Sequence, residues 1–202
     1  MKIAVFGGSF NPVHIGHLIA ASYAINNGGM DKVLFIPSGN HPFIEKRKTI
    51  SSDIRLEMLK NAIKNDDMFD FSTIEIDSKE ISYTYDTFLK LKEIYPDDEL
   101  FFIIGYDILF DLPKWNKIEE LSKICSFLVM NRDTDRNKEL KNIVDELTDK
   151  YNIKLNFVDS PIIGISSSDI RKHIAENKRV NYLVPDTVLE IIKREGLYGY
   201  GL

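Results

Sequence analysis

The sequence predicts an α/β fold: a doubly wound parallel sheet with a small helical appendage at its C-terminal end. Three observations carry this. Short runs of β-branched and aromatic residues alternate with longer stretches of helical period. Most of the short runs are apolar throughout instead of alternating, which suits strands covered on both faces. After Asp159 the alternation stops and only helical patterns follow.

Taken in order, residues 2–6 form the first strand candidate and run into Gly7-Gly8. A helix over 16–27 follows, ended by Gly28-Gly29. Residues 32–37 read as the second strand. In 52–65, Ile54, Met58, Leu59, Ala62 and Ile63 fall on one helical face, with Ser51 or Ser52 as N-cap. Residues 69–77 read as a third strand, 84–95 as a helix stopped by Pro96, and 99–105 as the fourth strand. A helix over 117–123, a strand over 126–131, a helix over 137–151 and a strand over 154–159 continue the pattern. Helices over 168–177 and 185–195 complete the chain. Crossovers of this length mean parallel βαβ units. Residues 1–160 are thus expected to form the sheet domain, with 161–202 a helical segment packed on it. Residues 39–48 and 130–136 are polar loops on the side where strands end.

A chain of 202 residues, 44% hydrophobic and 28% charged, is long enough for one large core, and its composition excludes disorder and rod-like folds. The longest apolar runs, such as 100–104 and 127–130, fall far short of the ~20 residues needed to span a bilayer. Gly7-Gly8 interrupts the N-terminal apolar run too early for a signal peptide. Cys125, the only cysteine, cannot make an internal disulfide or a thiolate metal site, and reads as a buried small apolar residue. The expectation is a cytoplasmic chain without membrane contact. A net charge of −5 argues against a nucleic-acid-binding surface, so any phosphate must be held by a local site.

In an open parallel sheet, ligands bind beyond the carboxyl ends of the strands. Here the first loop reads Gly7-Gly8-Ser9-Phe10-Asn11-Pro12-Val13-His14-Ile15-Gly16-His17. Its glycines let the backbone N–H groups of Gly8, Ser9 and Phe10 approach a phosphate, and the helix beginning near Gly16 adds its positive end. His14 and His17, three residues apart across that start, can face the same anion. A tight turn with one solvated and one capping histidine would explain a lone Gly-Gly. Two of the chain's four histidines lie in this loop, at the place the fold reserves for a ligand, and they favour the anion site. GxGxxG and GxxxxGK[ST] are absent, so neither a nicotinamide-dinucleotide dehydrogenase nor a P-loop kinase is supported. Ile165-Ser166-Ser167-Ser168-Asp169-Ile170-Arg171 again precedes a helix; a serine N-cap frees neighbouring N–H groups for an anion and Arg171 projects from the first turn. Alone, that segment would be a capped helix with an Asp169–Arg171 surface pair.

His14-Ile15-Gly16-His17 after a first strand is the signature shared by nucleotidylyl transferases and class I aminoacyl-tRNA synthetases. Combined with the segments GGSFNPVHIGHL, ISYTYDTFLKLKEIYP, FFIIGYDILFDLPKW, FLVMNR, ISSSDIR and YLVPDTVLEIIKREGLYG, it makes the chain resemble the bacterial nicotinate mononucleotide adenylyltransferases nearly end to end. A synthetase fragment would need a KMSKS-type loop and a basic tRNA-binding domain, and this acidic chain has neither. The SYTxDT and DLPKW segments favour a pyridine nucleotide over phosphopantetheine or flavin mononucleotide as acceptor.

The resemblance implies a Rossmann-like sheet and transfer of the adenylyl group of ATP to nicotinate mononucleotide, giving deamido-NAD and pyrophosphate. It implies Mg²⁺ arriving with ATP and no protein metal site, and leaves a homo-oligomer open. By resemblance His14, His17 and Arg171 are catalytic. Gly7, Gly8, Ser9, Phe10, Gly16, Lys46, Gly105, Asp107, Arg132, Ser167 and Ser168 serve ATP and its phosphates, with Asp107 on a ribose hydroxyl. Tyr83, Thr84 and Trp115 serve the nicotinate nucleotide, Trp115 by stacking on the pyridine ring. Read from the residues alone, Trp115 is a core anchor and Asp107 a helix cap, and Thr84 as N-cap is an equal alternative to a ligand-binding role. Asp86 is the only carboxylate expected near Tyr83-Thr84. The chain departs from the family at Gly39-Asn40-His41-Pro42-Phe43-Ile44-Glu45-Lys46, where PPHK is usual, and at Tyr106, where a small residue is usual.

Overall fold

Strands β1 (Lys2–Gly8), β2 (Lys32–Pro37), β3 (Phe69–Phe71), β4 (Glu99–Gly105), β5 (Ser126–Met130) and β6 (Leu155–Val158) lie in one parallel sheet, in the order β3-β2-β1-β4-β5-β6. This computed structural model describes residues 1–39, 50–78, 80–130 and 138–201. Helices α1 (Ile15–Asn26), α2 (Ser52–Ile63), α3 (Thr84–Ile94), α4 (Ile118–Ile124), α5 (Lys138–Tyr151), α6 (Ser167–Ala175) and α7 (Asp186–Arg194) cover both faces. The strand order reverses between β1 and β4, so their carboxyl ends splay apart and leave a crevice there.

Successive strand residues point to opposite faces, which explains why the strands read as unbroken apolar runs. Ala4, Val33, Phe35, Phe101, Ile103 and Leu128 share one core layer with residues of α1, α2, α6 and α7. Ile3, Val5, Leu34, Phe102, Phe127 and Val129 share the other with α3, α4 and α5. On α2, Met58, Leu59 and Ile63 are buried as their spacing predicts, and Ser51 caps the helix by accepting the Ile54 N–H at 3.4 Å. Arg55 is buried on the same face. Cys125 is buried, and burial pushes its thiol pKa up.

The third strand is shorter than its sequence pattern. It ends at Phe71, because Thr73 and Asp77 close a turn: Asp77 N–H bonds to the Thr73 carbonyl at 2.9 Å, and the Thr73 hydroxyl to the Asp77 carboxylate at 2.6 Å. The Ile74–Ile76 alternation belongs to this turn. Two 3₁₀ turns, Tyr106–Phe110 and Leu112–Lys114, carry the chain from β4 to α4. The C-terminal helices pack on α1 and α2, where Ile15 N–H bonds to the Leu183 carbonyl at 3.0 Å and Arg194 pairs with Glu57 at 2.9 Å. Among the described residues no helix is long and apolar enough to cross a membrane.

Candidate active site

β1 delivers Gly7-Gly8 to the crevice, and the loop that follows is fastened by its oxygens. Arg55 spans two carbonyls, donating Nη1–H to Ser9 O and Nη2–H to Ser38 O, each at 2.8 Å. Arg171 Nη1 donates to Asn11 O at 2.7 Å, the Ser167 hydroxyl to Pro12 O at 2.9 Å, and the Tyr198 hydroxyl to Asn11 Oδ1 at 2.8 Å. The Asn11–Pro12 peptide is cis. Phe10 adopts a left-handed backbone (φ 45°), a conformation that strains a residue with a Cβ. Its ring is buried against Phe6, Phe35 and His17, and that burial offsets the strain. Phe10 can therefore offer a phosphate only its backbone.

His14 is the N-cap of α1, and His17 stands in its first turn. The His14 N–H donates to His17 Nδ1 at 3.2 Å, which assigns the His17 proton to Nε2. The two rings stack, with centroids 3.6 Å apart and planes 24° apart. His14 is 5% exposed, and its Nδ1 is buried without a partner. Burial lowers the His14 pKa to about 4; burial and then His14 hold His17 well below its ordinary value. Both imidazoles are consequently neutral near pH 7. Gly16 gives this stack room: a Cβ there would stand 3.0 Å from His14 Nδ1 and press the ring aside by a few tenths of an ångström.

At the start of α6, Ser166 is the N-cap. Its Oγ accepts the Asp169 N–H at 3.0 Å and donates to Asp169 Oδ2 at 2.7 Å. The Asp169–Arg171 surface pair is thereby replaced, since Arg171 turns to Asn11 O and to Ser168 Oγ at 3.1 Å.

Beside the loop opens a cleft of about 720 Å³, lined by Gly7, Gly8 and Ser9 on one side and by Tyr83, Thr84 and Trp115 on the other. Tyr83, not Thr84, is the N-cap of α3, and no side chain bonds across the cap. Trp115 is half-buried, its ring 5.8 Å from that of Phe102. Gly105 is the N-cap of the 3₁₀ turn after β4; Asp107 lies exposed in that turn, and its carboxylate does not cap it. Lys46 and Arg132 lie outside the described residues.

The cleft also holds a carboxylate that sequence reasoning missed. Glu75, from the Thr73–Asp77 turn, lines it and accepts a hydrogen bond from the buried Thr87 hydroxyl at 2.8 Å. Its pKa is raised by burial. Asp86 is therefore not the only acid beside Tyr83-Thr84. Arg55, Ser38 and Tyr198 were missed as well; only Arg55 carried a signal, as a cation on the apolar face of α2.

The cytidylyltransferase-like family model matches residues 5–173. A protein of Clostridium kluyveri named probable nicotinate-nucleotide adenylyltransferase is 36% identical over 201 residues, covering 98% of this chain and 99% of its own. Identically named proteins of Caldicellulosiruptor saccharolyticus (41% over 199 residues, 98% and 99% covered) and Streptococcus mutans serotype c (39% over 201 residues, 98% and 88% covered) are similar throughout. A solved structure of Plasmodium falciparum nicotinic acid mononucleotide adenylyltransferase complexed with NaAD shares the fold, with a TM-score of 0.79 at 21% identity over 99% of this chain and 98% of that one.

Proposed function

Because the chain belongs to the cytidylyltransferase-like family and, within it, to the nicotinate-nucleotide adenylyltransferases, we propose that the loop after β1 and the cleft beside it are the two halves of one adenylyl-transfer site. The enzyme transfers the adenylyl group of ATP to nicotinate mononucleotide in NAD biosynthesis. An oxygen of the acceptor's 5′-phosphate attacks the α-phosphorus in line. The α–β phosphoanhydride bond breaks, and pyrophosphate departs with the electron pair. No covalent enzyme intermediate forms, so the protein's work is positioning two polyanions and stabilising charge on the transferring group.

The observation that carries this reading is the stacked histidine pair at the switch-point helix start, with the Tyr83–Thr84–Trp115 wall across the cleft. In it His17 offers its Nε2–H, and His14 a second ring N–H, to oxygens of the α-phosphate. Gly7, Gly8, Ser9 and the Phe10 backbone receive the phosphates with the positive end of α1, which Gly16 keeps open. Arg171, oriented from Asn11, adds a guanidinium, and Ser167 and Ser168 shape the start of α6 beneath it. Gly105 and Asp107 serve the adenosine ribose at the end of β4. Lys46 and Arg132 complete the ATP side. On the acceptor side, Trp115 stacks on the pyridine ring, and the N–H groups and hydroxyl of Tyr83 and Thr84 take the carboxylate.

As the resemblance implies, Mg²⁺ would arrive with ATP; among the described residues no group of three or more His, Cys, Asp or Glu side chains could hold a metal. An ion held by the nucleotide would supply charge neutralisation for the departing pyrophosphate, beside His14, His17 and Arg171. We read the enzyme as cytoplasmic, acting on free nucleotides without a nucleic-acid or membrane partner, and leave a homo-oligomer open. A coupled assay with ATP and nicotinate mononucleotide tests the reaction: one pyrophosphate should appear per dinucleotide formed. Release of orthophosphate, or of pyrophosphate without an acceptor, would contradict it.

A further inference from the structure

Adenylyl transfer has no evident use for Glu75, a partly buried carboxylate in a cleft that takes two polyanions. Such a group is retained only where hydrogen bonds compensate its lost hydration. Two are present. The Thr87 hydroxyl donates to Oε1 at 2.8 Å, and the Gly39 backbone N–H bonds to the carboxyl. Thr87 lies in the first turn of α3, buried, and its own N–H bonds to the Tyr83 carbonyl at 3.1 Å. The Gly39 side is equally constrained. A Cβ at Gly39 would stand 1.9 Å from the Glu75 carbonyl oxygen, so only glycine lets the two backbones meet. Next to it, the Ser38 N–H bonds to the Gly8 carbonyl at 2.8 Å, which ties this segment to the phosphate loop. A chain of contacts thus runs from Gly8 through Ser38, Gly39, Glu75 and Thr87 to Tyr83.

We propose that Glu75 and Thr87 form a positioning pair that sets the acceptor half of the site: the carboxylate ties the first turn of α3, with its Tyr83–Thr84 donors, to the Ser38–Gly39 segment beside the phosphate loop. The inference rests on reading the cleft as the nicotinate mononucleotide site. Neither residue touches the reacting atoms; both act through the placement of Tyr83 and Thr84. The pair also gives Thr87, the last residue of the SYTxDT segment, a function of its own.

Steady-state kinetics with each substrate varied separately, alongside melting temperatures, test the pair. Thr87→Val removes the hydroxyl at nearly constant volume, and Thr87→Ser keeps it. In Thr87→Val the KM for nicotinate mononucleotide should rise about tenfold, the scale of a lost hydrogen bond to a charged group, while the KM for ATP and kcat stay within about twofold. Thr87→Ser should return most of the acceptor affinity. Glu75→Gln, which keeps an oxygen for Thr87, should show the same acceptor-only defect in milder form and serves where the valine variant fails to fold. Unchanged acceptor KM in Thr87→Val overturns the proposal. So does a rise in both KM values in step with lost thermal stability, which would make the pair a plain structural contact. If the unaltered enzyme fails to use nicotinate mononucleotide at all, the acceptor assignment itself falls, a failure distinct from either of these.

Discussion

Two imidazoles stacked at 3.6 Å are poor cations, and that suits this site. A charged pair at that distance would repel itself, whereas two neutral rings each offer one directed N–H without a charge to desolvate when the phosphate leaves. Removing one such donor at a charged centre costs roughly 10²- to 10³-fold, so His17→Ala should lose that much turnover while remaining folded. Near-full turnover would remove the loop from the chemistry. Burial of His14 also leaves a mark on stability. Its pKa is near 6.5 in the unfolded chain and about 4 in the folded one. Between those values the unfolded chain binds a proton that the folded chain refuses, so stability is full above pH 6.5 and declines as pH falls toward 4. The slope due to His14 approaches ~1.4 kcal/mol per pH unit. Urea denaturation of the wild type and His14→Gln across this range should show the wild type losing stability more steeply on acidification; parallel profiles would mean His14 is not buried neutral. The histidines were legible in the sequence because their spacing and position suffice. The stacking was not, since it arises only from the packing of the two rings at the start of α1, where Gly16 leaves the His14 ring room.

Among the elements, α2 does more than cover the sheet. It presents Arg55 from an otherwise apolar face, and the guanidinium bridges Ser9 O and Ser38 O. These carbonyls belong to the ends of neighbouring strands, so one side chain fixes the mouth of the site. Arg55→Met would keep the apolar contacts and leave two carbonyls without donors, at about 1–3 kcal/mol for each that stays dry. Urea denaturation should show that loss, accompanied by a raised KM for ATP as the loop loosens. Unchanged stability would mean water replaces the arginine. The sequence pattern located the apolar face of α2 but missed both the burial of Arg55 within it and its partners, which lie 46 and 17 residues away along the chain. At β3 the pattern misled. Ile74 and Ile76 mimic strand alternation, while the Thr73–Asp77 hydrogen bonds make a turn and carry Glu75 into the cleft. Local hydrogen bonds of this kind, with Ser72 Oγ also accepting the Ile74 N–H at 3.3 Å, compete with the sheet ladder, and period alone does not reveal the winner.

Across the whole molecule, the switch of strand order between β1 and β4 opens the crevice, and the C-terminal segment closes around the back of it. Ser167, Arg171, Leu183 and Tyr198 all bond to residues 11–15, so the helices after β6 are part of the site's frame. The parallel, doubly wound sheet and the place of its first loop were legible because alternation and crossover length leave few topologies; the strand order itself was not read from the sequence. The convergence of positions 55, 75 and 198 was not, because it exists only once the chain has closed on itself. In the proposed acceptor half, the cleft would meet the pyridine nucleotide with donors from the start of α3. A carboxylate satisfies them, whereas a carboxamide sets its NH₂ against other donors. Thr87 and Gly39 already take two of the acceptor positions of the Glu75 carboxyl, which leaves fewer for a carboxamide. Parallel measurement of kcat/KM for nicotinate and nicotinamide mononucleotides with ATP in excess decides the matter. The acid should be preferred by a wide margin, with ~10⁴ the upper range for a site that leaves polar groups unpaired against the wrong substrate. A ratio near one, or in favour of the amide, would contradict the assignment of this cleft.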